Sequence, residues 1–109
     1  MSSTRADIDA VAAARDAFAR GEPVLIHDAA DREGEVDIVY PAAVVDPEAV
    51  RRLRNDAGGL ICVAVSDAIA EAWGLPFLAD ALSHPAAEAA HLDYDDRSSF
   101  SLPVNHRET

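Results

Sequence analysis

Acidic side chains are concentrated in one short segment whose spacing could support chemistry. Residues 28–37, DAADREGEVD, hold five acids and one arginine between two apolar runs. If this segment is extended, alternate side chains share a face, so Glu33, Glu35 and Asp37 could converge with Cα atoms about 6.5 to 7 Å apart. Their hard oxygen atoms suit Mg²⁺ or Mn²⁺, which take one or two carboxylates and leave other positions to water and substrate. The segment is a candidate divalent-metal site.

Arg32 leaves a second interpretation of the same segment open. Its guanidinium lies among the acids in sequence and could pair with them. Acidic loops are common in acidic proteins, and a loop held by internal ion pairs needs no metal. From spacing alone, the metal site and the self-paired loop are both open.

Three further residues could contribute to a functional site. Cys62 lies in the apolar run Leu60–Val65, where an inert buried thiol is the ordinary expectation. As the single cysteine, it excludes a disulfide within the chain and a multi-thiolate zinc site. His106 and Arg107 could supply positive charge for a phosphate or could simply follow a strand.

The acidic segment is bracketed by two predicted strands and preceded by a helix. Helical spacing of apolar residues and a following Gly21 predict the first helix, and Asp46 with Pro47 is typical of a helix start that Gly58 and Gly59 would end. Short β-branched runs predict the strands. The expected elements are a helix at 8–18, strands at 24–26 and 36–40, and a helix beginning after Asp46.

The second half of the chain predicts a central strand and a less regular region. Six consecutive apolar residues, Leu60–Val65, are typical of a strand covered on both faces. Ser66 is expected to cap a short helix through Trp73, residues 83–97 to form a loop or lid, and residues 98–104 to form another strand. Alternating helices and strands predict a single layered α/β or α+β domain over residues 1–109, with a mixed sheet flanked by helices. Because the chain ends directly after a predicted strand, we expect it to be part of a longer domain.

Charge and hydropathy argue against a nucleic-acid-binding protein and a membrane protein. The chain has 20 acidic residues, nine arginines and no lysine, for a net charge of −11, so a nucleic-acid partner is not expected. No apolar run reaches the length of a membrane span. The lone cysteine favours a reducing cytoplasm, and the excess of acids suggests a host with high internal salt, which would screen the self-repulsion.

Three ordered blocks resemble one family. Residues 31–39, DREGEVDIV, resemble the D/E-R-E-x-E-x-D signature of the 3,4-dihydroxy-2-butanone 4-phosphate synthases, closest to the archaeal type. Residues 55–62, NDAGGLIC, are similar to the family's second block. Residues 98–101 and 105–107, SSFS and NHR, are similar to its third. The resemblance runs from about residue 6 to residue 109 and covers roughly the N-terminal half of a family member.

The resemblance implies a lyase of riboflavin biosynthesis with an α/β fold. Such an enzyme uses Mg²⁺, or Mn²⁺, to convert ribulose 5-phosphate to 3,4-dihydroxy-2-butanone 4-phosphate and formate, and it is a homodimer. The family's second metal ligand and its main phosphate-binding segment belong to the half that this sequence does not contain. We therefore expect the chain alone to have little activity.

Residue roles follow from the resemblance by position. Glu33 matches the metal ligand, and Glu35 and Asp28 match acidic positions near the sugar. The role expected for Glu35 or Asp37 is to handle protons and hydroxyls. Cys62 matches a cysteine near the active site and, with Glu35 and Asp37, is a candidate catalytic residue. The candidate substrate-binding residues are Asp28, Arg32, Glu33, Asp37, His106 and Arg107. The alternative is a stand-alone acidic interaction or metal-binding module without catalysis.

Overall fold

The computed structural model describes residues 4–88, 98–105 and 107–108. The chain divides into two units, Met1–Val63 and Ala64–Thr109. The described elements are helices and a two-stranded antiparallel sheet, so the chain is an α+β protein. No helix among the described residues has the length and apolar character needed to cross a membrane.

The first unit begins with helix α1, Arg5–Ala19, whose two ends follow from the sequence. Thr4 caps it by accepting a hydrogen bond from the Asp7 backbone at 3.2 Å, and the Asp7 carboxylate accepts one from the Thr4 backbone at 3.0 Å. Gly21 follows with a φ of 78°, the left-handed conformation that glycine adopts at helix ends. The predicted first helix is confirmed.

Two strands form a hairpin around the acidic segment. Strands β1, Val24–His27, and β2, Val36–Val39, pair antiparallel, with Val24 opposite Val39 and His27 opposite Val36. Both strands were predicted, and β2 ends one residue earlier than expected. One extra backbone hydrogen bond, from Asp28 to the Glu35 carbonyl at 2.8 Å, continues the pairing into the loop.

Helix α2, Pro47–Arg52, is the second predicted helix of this unit. The Asp46 carboxylate caps it by accepting from the Ala49 backbone at 2.8 Å. A 3₁₀ turn at Ala42–Val44 precedes α2, and a π-helical turn at Leu53–Ala57 follows it. Gly58 closes the turn with a φ of 74° and donates to the Leu53 carbonyl at 3.1 Å.

Apolar burial is slight in the described residues. Ala49 is the buried apolar residue there, with 4% of its surface exposed, and no large side chain is fully buried. Leu25 on β1 is 70% exposed. The described part of the chain therefore has little of the apolar core that normally supplies most folding stability.

The second unit contains three short helices: α3, Asp67–Ala72; α4, Leu78–Ala81; and α5, Pro85–Glu88. The predicted Ser66 cap is confirmed, since its hydroxyl accepts from the Ile69 backbone at 3.2 Å. Residues 98–105 contact the start of α4 through two hydrogen bonds. The Leu78 backbone donates to the Phe100 carbonyl at 2.8 Å, and the Ser101 hydroxyl donates to the Pro76 carbonyl at 2.6 Å.

Two predicted strands are absent from the described residues. Residues 60–65 are irregular and exposed, with Leu60 83% exposed, and residues 98–104 form no ladder. The predictions were wrong because an apolar run records a tendency to be buried, whereas a strand also needs a neighbouring backbone for its hydrogen bonds. Within the predicted loop at 83–97, the structure forms α5, and residues 89–97 lie outside the described part.

Candidate functional site

The acidic segment, residues 28–37, comprises the loop of the β1–β2 hairpin and the first two residues of β2. It begins at Asp28, directly after β1, and returns to β2 through Glu35. The Arg32 backbone donates to the Ala29 carbonyl at 3.0 Å, which closes a turn inside the loop. Gly34 has a φ of 66°, a conformation that side-chain-bearing residues rarely adopt. The hairpin thus places four acids and one arginine in its loop and the fifth acid, Asp37, in β2.

Asp28 makes several polar contacts within this loop. One carboxylate oxygen, Oδ1, accepts from the Ala29 backbone at 2.8 Å, and the other, Oδ2, accepts from the Glu33 backbone at 2.9 Å. The Arg32 Nε atom lies 3.8 Å from Oδ1. The Asp28 side chain is 21% exposed, whereas that of Arg32 is 54% exposed.

These contacts lower the pKa of Asp28 below its ordinary value. The hydrogen bond from the Glu33 backbone is the largest cause, and the bond from Ala29 and the charges of Arg32 and His27 act in the same direction. Partial burial opposes them by disfavouring the charged form. Asp28 is therefore held as a carboxylate.

Glu33, Glu35 and Asp37 do not form the uninterrupted row that their spacing predicts. Glu33 lies in the turn and Asp37 lies in β2 opposite Ile26, with the left-handed Gly34 between Glu33 and Glu35. Because the positive φ of Gly34 interrupts the extended backbone, alternation holds from Glu35 onward only. The expectation of one extended face carrying all three carboxylates is wrong.

A magnesium ion fits these residues by donor type, although they do not form a cluster of three ligands. Glu33, Glu35 and Asp37 are exposed carboxylates, the hard donors that Mg²⁺ prefers. Within the described part of the chain, no group of three or more His, Cys, Asp or Glu side chains is arranged to hold a metal ion. The loop can supply one or two carboxylates, which is the usual protein share of a magnesium site.

The remaining predicted site residues lie elsewhere. The Cys62 thiol is exposed, so the expectation of a buried thiol is wrong, and the reason is that residues 60–65 have no covering layer here. Arg107 is exposed in the second unit. His106 lies outside the described residues. Glu35 ends the loop, and Asp37 is the second residue of β2.

The structure defines an α+β protein with a carboxylate-rich hairpin loop. Comparison with known proteins is more specific: the family model described as 3,4-dihydroxy-2-butanone 4-phosphate synthase matches residues 12–109. The chain belongs to that family.

Curated relatives support the same conclusion. The 3,4-dihydroxy-2-butanone 4-phosphate synthase of Archaeoglobus fulgidus is 50% identical over 102 residues, covering 85% of this chain and 43% of the relative. The synthase of Methanothermobacter thermautotrophicus is 43% identical over 101 residues, covering 85% and 44%. The riboflavin biosynthesis protein RibBA of Bacillus subtilis is 33% identical over 96 residues, covering 88% and 22%. The chain therefore spans less than half the length of these relatives.

Proposed function

We propose that this chain provides the acidic loop of a Mg²⁺-dependent 3,4-dihydroxy-2-butanone 4-phosphate synthase of riboflavin biosynthesis. The reaction converts ribulose 5-phosphate to 3,4-dihydroxy-2-butanone 4-phosphate and formate. The observation that carries the proposal is the family match over residues 12–109, which includes the whole hairpin loop. Mn²⁺ is the alternative metal.

The chemistry assigned to the loop follows from its side chains. Removing a carbon from a sugar requires a base beside a carbonyl, and Glu35 or Asp37 would take and return that proton. Glu33 would hold the divalent ion, which when bound polarises the carbonyl and orients the diol oxygens. Arg32, with its long cationic side chain, would contact the substrate while pairing with Asp28 at 3.8 Å.

Residues beyond the loop would complete the substrate site. His106 and Arg107 would contribute positive charge for the phosphate of the sugar, and Cys62 would lie near the reacting carbons. Asp37 would contact the sugar hydroxyls, and the resemblance assigns such a contact to Asp28 as well. These assignments rest on the family resemblance of the three sequence blocks.

The proposal also covers assembly and location. We propose that the full-length enzyme is a homodimer in the cytoplasm, in keeping with the single cysteine and the absence of an apolar run long enough for a membrane. Because the chain spans 43% of its Archaeoglobus relative, we expect it alone to release little formate.

A combined assay tests the proposal. Calorimetry with Mg²⁺ followed by ribulose 5-phosphate should show metal heat and then sugar heat, and both should be lost in Glu33→Gln. Formate release by the purified chain should be near background. Sugar binding that is unaffected by Glu33→Gln would contradict the proposal, as would formate release at the rate of an intact enzyme.

A noncatalytic interaction or metal-binding module is the second candidate. The observation that favours it is the exposed apolar surface, which includes Leu25, Val36, Leu60 and Val63 at 56 to 83% exposure. A module of this kind would give metal heat without sugar heat, or neither, in the same calorimetry.

A further inference from the structure

The loop contains one carboxylate that is bonded to the backbone on both of its oxygens. Asp28 Oδ1 accepts from the Ala29 backbone at 2.8 Å, and Oδ2 accepts from the Glu33 backbone at 2.9 Å. The Asp28 backbone also donates to the Glu35 carbonyl at 2.8 Å. A single residue thus binds the loop at its start, at its turn and at its return to β2.

The hydrogen bond to Glu33 spans five residues and passes over the turn. It fixes the backbone nitrogen of the residue that is proposed to hold the metal ion. Hydrogen bonds with an ionised acceptor are roughly twice as strong as neutral ones. The residue after Glu33 is Gly34, which can adopt many backbone conformations. The direction of the Glu33 backbone therefore depends on this hydrogen bond.

We propose that Asp28 is a positioning residue: it holds the backbone of Glu33 so that the Glu33 carboxylate is preorganised for the divalent ion. This replaces the direct sugar contact assigned to Asp28 from the family resemblance. Both of its oxygens accept from the protein backbone, and its side chain is only 21% exposed. The metal-binding part of this inference rests on the proposed function. The structural part, the hydrogen bond between Asp28 and the Glu33 backbone, rests on the hairpin geometry alone.

The structural part is tested on the 109-residue chain without metal. A through-hydrogen-bond scalar coupling between the Glu33 amide nitrogen and the Asp28 carboxyl carbon should be detectable by NMR in the wild type. In Asp28→Ala, the Glu33 amide should exchange with water about tenfold faster because its acceptor is gone. In Asp28→Asn, the exchange rate of the Glu33 amide should lie between those of the wild type and Asp28→Ala, because an amide group offers one accepting oxygen in place of two.

Asp31→Ala is the matched control. Asp31 is in the same loop, carries the same charge, and its side chain makes no hydrogen bond or ion pair within the described part of the chain. This variant should leave the Glu33 amide unchanged. If Asp28→Ala leaves Glu33 exchange unchanged, or if the wild type shows no coupling, the proposal is overturned even where the variant is poorly folded.

Metal affinity distinguishes positioning from a purely structural role. In Asp28→Asn, the affinity for Mn²⁺ measured by electron paramagnetic resonance should fall about tenfold, as is typical for residues that orient a metal ligand. The melting temperature should stay close to that of the wild type. An unchanged Mn²⁺ affinity would overturn the positioning role. If the wild type binds no Mn²⁺ at all while the NMR coupling is present, the proposed function fails and the structural bond stands.

Discussion

Glu33 is the residue on which the proposed chemistry depends most. Its carboxylate is exposed on the turn of the hairpin, and its backbone is bound by Asp28 at 2.9 Å. Mg²⁺ is bound mainly through one or two carboxylates, with water in the other positions. A single side chain can therefore decide whether the loop binds the ion, even where no three-residue cluster exists in the described residues.

Replacing Glu33 by Gln should weaken Mg²⁺ binding at least tenfold. The substitution keeps the size and the backbone hydrogen bond while removing the negative charge that the ion needs. Isothermal titration with Mg²⁺ at low ionic strength measures the effect. Asp31→Asn removes the same charge from the same loop and should change the affinity by less than about twofold; an equal loss in both variants would mean that the loop attracts cations only as a diffuse acidic surface.

The helix that follows the hairpin in the first unit is stabilised by local capping. Asp46 accepts from the Ala49 backbone at 2.8 Å, Pro47 occupies the first turn of α2, and Gly58 ends the following π turn. Each interaction joins residues within a few positions of each other. Helix α2 should therefore respond to single substitutions at its start.

Asp46→Ala should reduce the free energy of unfolding by about 1 kcal/mol, the usual cost of losing an N-cap. Urea denaturation followed by circular dichroism measures it. Asp46→Asn keeps a capping oxygen while removing the charge, so its stability should lie within a few tenths of a kcal/mol of the wild type. If both variants lose the same stability, charge and not capping is responsible.

Glu48 makes the stability of α2 depend on pH. Hydrogen bonds from Arg51 are the largest cause that lowers the pKa of Glu48 to about 2, and Arg52 adds to the effect. A lowered pKa in the folded state contributes stability above the ordinary value of 4.5, and this contribution is lost as the pH falls from 4.5 through about 2. Because the pair is exposed, the effect should be small and screened by salt.

Thermal unfolding at low ionic strength between pH 5 and pH 2 tests this. The wild type should lose more stability over that range than Glu48→Gln, whose side chain cannot titrate. Glu71→Gln, a substitution in α3, should retain the wild-type slope. Parallel curves for the wild type and Glu48→Gln would show that the ion pair has no energetic effect.

The sequence predicts these elements unequally well, for a physical reason. The ends of α1 and α2 are encoded in neighbouring residues, such as Thr4, Gly21 and Asp46, so they can be predicted locally. The strand expected at 60–65 depends on pairing with a backbone far along the chain, which an apolar run does not specify. Within the site, the loop and its acids could be predicted. The left-handed Gly34 and the hydrogen bond from Glu33 to Asp28 could not, because both depend on the path of the turn.

At the scale of the whole chain, exposed apolar surface and negative charge are the main features. Ala49 is the buried apolar residue among those described, and large side chains such as Leu60 and Val63 are exposed. The relatives are more than twice as long as their matched part. At a net charge of −11, self-repulsion also acts against a compact state.

Salt should stabilise the chain. Raising KCl from dilute to 1 M shortens the Debye length to about 3 Å and screens repulsion between the carboxylates. The melting temperature should therefore rise. Glucose at equal osmolarity is the control for solvent effects without ions. A melting temperature that is the same in dilute and molar KCl would indicate an ordinary acidic protein.

The central claim is that the hairpin loop binds a divalent ion, and paramagnetic NMR tests it most directly. Mn²⁺ added in small amounts broadens the amide signals of nearby residues. We predict that broadening is strongest from Glu33 to Asp37 and that it disappears in Glu33→Gln. Equal broadening at unrelated acids such as Glu48 and Glu71, or none in the loop, would contradict the account.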